Sequence, residues 1–185
     1  MTHRGDELKR ARAAWTQRGQ TRPDFAVVPG PGQQSVWDFP RPPLLERVAK
    51  PVRVVFAGVT IADTKAAWRV CETASPPTYY LPREDAAMEY LTADSRRSLC
   101  EWKGQAVYFT PQANGRSAPN AVWSYPEPWP GFEPIAGYLS FMAGAMDACY
   151  VGEDQVLPKP GGFYGGWITP ELVGPFKGEP GTGHW

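Results

Sequence analysis

Arg53-Val54-Val55-Phe56-Ala57-Gly58-Val59-Thr60-Ile61-Ala62 is the stretch on which the fold turns. Two runs rich in β-branched residues flank Ala57-Gly58, the pattern of a tight hairpin. The chain continues in the same idiom on the C-terminal side. Residues 66–72 are strand-like, with Trp68 and Val70 on one face and Arg69 and Cys71 on the other. Residues 78–81, 99–102, 106–109, 121–125, 137–141 and 148–151 read as further short strands. Pro82-Arg83-Glu84-Asp85 opens a helical turn, with proline and acidic residues in the first-turn positions they favour. Short strands separated by turn residues predict an all-β, mainly antiparallel fold, a compact sheet sandwich or open barrel.

Three regions follow from composition. Residues 1–34 form an N-terminal helix and linker, residues 35–152 the β-rich domain, and residues 153–185 a tail rich in Gly, Pro and aromatics. The helix is expected over residues 6–18, capped by Asp6, docked through Leu8, Ala11 and Trp15, and ended by Gly19. The tail carries Phe163, Tyr164, Trp167, Ile168, Leu172, Val173, Phe176 and Trp185. A disordered segment lacks such residues, so the tail is expected to pack on the domain, or on a second copy, as an ordered coil. Val36-Trp37-Asp38-Phe39-Pro40-Arg41-Pro42 and Val122-Trp123-Ser124-Tyr125-Pro126-Glu127-Pro128 are either equivalent strand ends or two unrelated aromatic-proline turns.

Composition excludes several functions. Nineteen basic residues balance nineteen acidic ones, so the basic surface that nucleic-acid binding needs is missing. No apolar run approaches the length of a membrane helix, and Met1-Thr2-His3-Arg4-Gly5-Asp6 lacks the apolar stretch of a signal peptide. Three widely spaced cysteines, Cys71, Cys100 and Cys149, suit a reducing compartment, so a cytoplasmic location is expected. Histidine occurs only as His3 and His184, which argues against catalysis by a positioned imidazole. No Cys-x-x-Cys, phosphate-binding glycine loop or Asp-x-Asp is present, so neither a metal nor a cofactor is expected.

The candidates that remain are polar groups among aromatics. Cys100-Glu101-Trp102-Lys103-Gly104 sets a thiol, an indole and an ammonium close together. A lysine on an apolar wall acts as base or nucleophile, or holds an anion; a surface lysine does none of these. Cys100 is either a ligand contact or an inert packing residue. Arg69 and Glu72 flank the Cys71 strand, and Arg83 and Glu84 follow Tyr79 and Tyr80. An arginine there forks onto a carboxylate or phosphate, or serves a salt bridge in its own turn. Tyr80, Trp102, Trp123 and Tyr125 wall a pocket or fill the core. Arg83 and Lys103 are expected on the same side of one cleft.

Five segments carry a resemblance. Residues 35–43, Thr60-Ile61-Ala62-Asp63-Thr64, residues 76–85, Cys100-Glu101-Trp102-Lys103-Gly104 and Trp123-Ser124-Tyr125-Pro126-Glu127-Pro128 resemble domain of unknown function 427. The likeness spans roughly residues 37–151 and implies a compact β-rich domain without an established activity. The family is sometimes labelled a nucleotidyltransferase domain, but the paired carboxylates and glycine turn of that chemistry are missing here. The expectation is a domain that binds an unidentified small polar or anionic molecule in an aromatic-lined cleft. The alternative is a non-catalytic structural or protein-interaction module, with a homo-oligomer as one form of it.

Overall fold

The structure is a computed structural model that describes residues 2–161 and 165–185. One α-helix, α1 (Thr2–Ala13), precedes a series of short strands. These are β1 (Gln34–Ser35), β2 (Leu44–Arg47), β3 (Val52–Phe56), β4 (Val59–Thr64), β5 (Trp68–Cys71), β6 (Thr78–Tyr80), β7 (Leu91–Cys100) and β8 (Gly104–Ala113). They continue as β9 (Arg116–Ser117), β10 (Val122–Ser124), β11 (Leu139–Phe141), β12 (Ala148–Val151), β13 (Asp154–Gln155), β14 (Leu157–Pro158), β15 (Trp167–Ile168) and β16 (Leu172–Val173). No helix among the described residues is long and apolar enough to cross a membrane.

The fold is all-β and mainly antiparallel, as the alternation requires. The β3–β4 hairpin turns at Ala57 and Gly58 with φ of 50° and 77°, the pair of positive values that matches strand twist. It lies in a four-stranded sheet ordered β13-β12-β3-β4. A second layer runs β2-β5-β6, then β11-β10-β8-β7 with β9 on β8. Paired hydrogen bonds of 2.8 Å between Leu81 and Leu139 stitch its two halves together. Between the layers lie Val52, Val54, Phe56, Ile61, Tyr79, Leu81, Val122, Leu139 and Phe141.

The tail closes this core. β15 pairs with β14, and β16 pairs in parallel with β1. Trp167 is fully buried, stacks on Tyr79 at 4.9 Å, and donates its indole N–H to the Phe141 carbonyl at 2.9 Å. Burying one such ring contributes roughly 1.5–3 kcal/mol, enough to offset the entropy of fixing one or two coil residues. Gly165 lets the backbone pass: a Cβ there would sit 2.4 Å from the Trp123 ring. Leu172 is buried and Phe176 packs beside Val36 and Trp37. Phe163 and Tyr164 lie outside the described residues.

Two local readings are corrected and one open alternative is resolved. The helix ends at Ala13, with Asp6 inside it and Trp15 beyond it. Trp15 instead donates its indole N–H to Glu101 at 3.0 Å, a contact that a continued helix would have to accommodate. Strand β7 begins at Leu91, well before residue 99, and most of its interior positions are exposed, so no apolar alternation marks it. The two Val-Trp segments are not equivalent: Trp37 sits in a 3-10 turn (Val36–Asp38), whereas Trp123 is mid-strand in β10.

Candidate functional site

The β7–β8 hairpin builds the site. Cys100 pairs with Gly104, and Glu101, Trp102 and Lys103 form the loop between them. Gly104 has φ of 100°, and the Trp129 indole lies 3.1 Å from where a Cβ would be. The turn therefore accepts only glycine without strain. It delivers Lys103, 7% exposed, to the wall of a cavity of about 340 Å³. Ligand pockets are commonly of this order or larger.

The cavity has two walls. Val70, Glu72, Thr78, Cys100, Glu101 and Lys103 come from the β domain. Trp15, Lys159, Gly166, Lys177 and Gly183 come from the flanking segments. Behind the first wall, Tyr80, Trp102, Trp123, Tyr125, Phe132 and Ile135 form a buried cluster that also includes Val70 and Cys100. Glu72, Tyr80, Cys100, Trp102, Lys103, Trp123 and Tyr125 are thus gathered in one place. Arg69, Arg83 and Glu84 are not. Arg69 pairs with Glu46 at 2.7 Å across β2 and β5. Arg83 and Glu84 are exposed on their 3-10 turn, with the Arg83 guanidinium 5.6 Å from the Phe109 ring centre, so Arg83 and Lys103 share no cleft.

Cations dominate the space. Lys103, Lys159 and Lys177 face Glu72 and Glu101. Both carboxylates are already engaged. Glu72 accepts from Arg41 Nε at 2.8 Å, and Glu101 accepts from the Trp15 indole. The Trp15 ring in turn holds the Arg41 guanidinium at 4.2 Å and the Lys177 ammonium at 3.8 Å from its centre. Lys177 Nζ also donates to the Trp185 carbonyl oxygen at 2.7 Å.

Lys103 differs. Its ammonium has no hydrogen bond or ion pair among the described residues; the Tyr125 ring centre lies 5.7 Å from Nζ. Burial opposes its charge, but Cys100, Tyr125, Tyr80 and Glu72 outweigh that and hold it well above the ordinary lysine value. Burial pushes the Tyr80 hydroxyl up to about 12 and raises Tyr125 further. In the neutral range both phenols are uncharged, so the Tyr125 π face and Glu72 remain as attractions. Lys159 and Lys177 are lowered to about 8, first by burial; Arg41 adds to this and Glu72 opposes it.

Sequence reasoning did not select Trp15, Arg41, Glu101, Lys159 or Lys177 for the site. Arg41 and Glu101 stand inside quoted motifs, where nothing local distinguishes them from surface charges. The other three lie in segments whose proximity only the tertiary structure reveals.

An all-β domain with a buried cationic cavity at a hairpin loop is the class that fold and site define. Residues 44–152 match the family described as Domain of unknown function (DUF427), and the chain belongs to it. No curated protein matches the chain. The matched region contains the first wall of the cavity and omits the second.

Proposed function

We propose that the protein binds a small polar anion in this cavity, with Lys103 as the primary contact and the aromatic cluster as its backing. One observation carries the reading: a cation only 7% exposed lines an open cavity and its ammonium has no hydrogen-bond acceptor among the described residues. Its neighbours favour the charged form without giving it a hydrogen bond, and charged groups removed from bulk water are hydrogen-bonded in folded proteins. An anion in the cavity supplies the missing partner. Lys159 and Lys177 add charge from the opposite wall, and Val70 and Trp15 supply apolar surface for the rest of the molecule.

A thermal-shift panel tests the reading. Phosphate, pyrophosphate and citrate are compared with glycerol and glucose for wild type and Lys103→Met at constant ionic strength. At 100 times its Kd, a ligand that binds only the folded state adds about 2.7 kcal/mol. At least one anion is expected to raise Tm in wild type and not in the variant. Equal responses in the two proteins would refute the assignment to Lys103.

A further inference from the structure

The geometry points to Cys100 as a nucleophile that acts on the molecule held by Lys103, an inference that rests on the anion-binding reading above. Cys100 Sγ donates to Glu101 Oε2 at 3.8 Å. The other carboxylate oxygen, Oε1, accepts the Trp15 indole N–H at 3.0 Å. Thiol, proton acceptor and the group that orients the acceptor stand in series, the order that activated nucleophiles share. A cysteine alone would not mark a site. The independent sign is Lys103, 7% exposed in the same cavity wall, whose ammonium has no acceptor among the described residues.

The other two thiols give the contrast. Cys71 also has a carboxylate acceptor, Glu46 Oε2 at 3.6 Å, but burial pushes its thiol up to about 12, and burial alone raises Cys149. Neither lines the cavity, and Cys149 sits in the core between the sheets. Only Cys100 combines a cavity position with a carboxylate acceptor and a cation in the same wall. The substrate class is therefore a small organic anion carrying an electrophilic carbon. Its anionic group pairs with Lys103 and its carbon lies toward the sulfur. In the step, the thiol proton passes to Glu101 Oε2 and the sulfur electron pair forms an S–C bond. The bond from that carbon to its leaving group breaks, and the leaving group departs with the bonding pair.

Alkylation of the native full-length chain tests this without a known substrate. Iodoacetate carries the carboxylate that Lys103 would hold; iodoacetamide is its neutral counterpart. In both reactions an S–C bond forms, iodide leaves and the thiol proton is released. Modification at each cysteine is followed by mass spectrometry, with glutathione as the free-thiol reference. Cys100 is expected to react at least about tenfold faster than Cys71 or Cys149, as exposure and microenvironment dictate. Its iodoacetate-to-iodoacetamide rate ratio should exceed that of glutathione by about tenfold, the scale of one favourable charge contact. Lys103→Met should return the ratio to the glutathione value, and Glu101→Gln should slow both reagents. A Cys100 inert in the native wild-type protein, or a ratio equal to that of glutathione, overturns the proposal. The anion-induced thermal shift separates the two failures: if it persists while Cys100 is inert, the thiol chemistry falls and the binding site stands.

Discussion

Arg41 and Lys103 are both cations removed from water, 4% and 7% exposed; Lys103 lines the cavity, and Arg41 holds two of its lining residues, Glu72 and Trp15. Arg41 is saturated. Its Nε donates to Glu72, its Nη1 to the Gln17 carbonyl, and its Nη2 to the carbonyls of Thr73 and Trp185, all within 3.0 Å. The rigid fork of donors suits an arginine to that task. Lys103 has only an aromatic face and a carboxylate already committed to Arg41. One buried charge is thus part of the architecture, joining N-terminal coil, β domain and tail. The other has no hydrogen-bonded partner among the described residues and is the contact proposed for the anion.

The two residues should respond unequally to neutralisation, and the largest effect is expected at Arg41. Arg41→Met strands Glu72 and three main-chain carbonyls; breaking a buried pair costs about 3–5 kcal/mol. For a chain of this size that lowers Tm by on the order of 10 °C in a thermal melt. A loss within two degrees would remove Arg41 from its structural role. Lys103→Met takes away a charge that its neighbours favour but that has no hydrogen-bonded partner among the described residues. Its Tm without added anion should fall by much less than that of Arg41→Met, because no hydrogen-bonded partner is stranded. A loss comparable to that of Arg41→Met would make Lys103 a second structural cation and collapse the distinction.

The smallest effect is one of pH. Lys159 and Lys177 are depressed from 10.5 to about 8, so folding disfavours their protonated forms. That cost is full below pH 8 and fades as pH rises toward the unfolded value of 10.5. Tm without anion should therefore climb between about pH 8 and about pH 10. Anion binding uses the same two charges, so the anion-induced increment should shrink over that interval. Both trends moving in the same direction would contradict the roles given to these lysines.

How much of this was legible in the sequence follows from where each signal lives. The hairpin through Ala57-Gly58 is local, and local chemistry specifies it. Strand β7 escaped because its interior faces solvent, where no alternation is imposed. Cys100, Lys103 and the aromatic cluster were found because a thiol, an ammonium and an indole share one hairpin loop and its edge. Arg83 and Glu84 looked equally promising beside two tyrosines, but their turn projects them into solvent. The second wall was illegible for a different reason. Trp15, Lys159 and Lys177 are brought to Lys103 by the β14–β15 pairing, by the main-chain bond from Lys177 to Ala74, and by stacking on Trp15. None of those contacts leaves a mark at short range in the sequence.

Calorimetric titration of pyrophosphate into wild type, Lys103→Met and Lys50→Met tests the central claim most directly. Lys50 is the control: it is a half-exposed lysine paired with Asp154 at 3.2 Å, away from the cavity. Saturable binding at one site per chain is expected in wild type and Lys50→Met, with loss of at least about tenfold in affinity, roughly 1.4 kcal/mol, in Lys103→Met. Equal binding by all three proteins, or no saturable binding by wild type, would contradict the account.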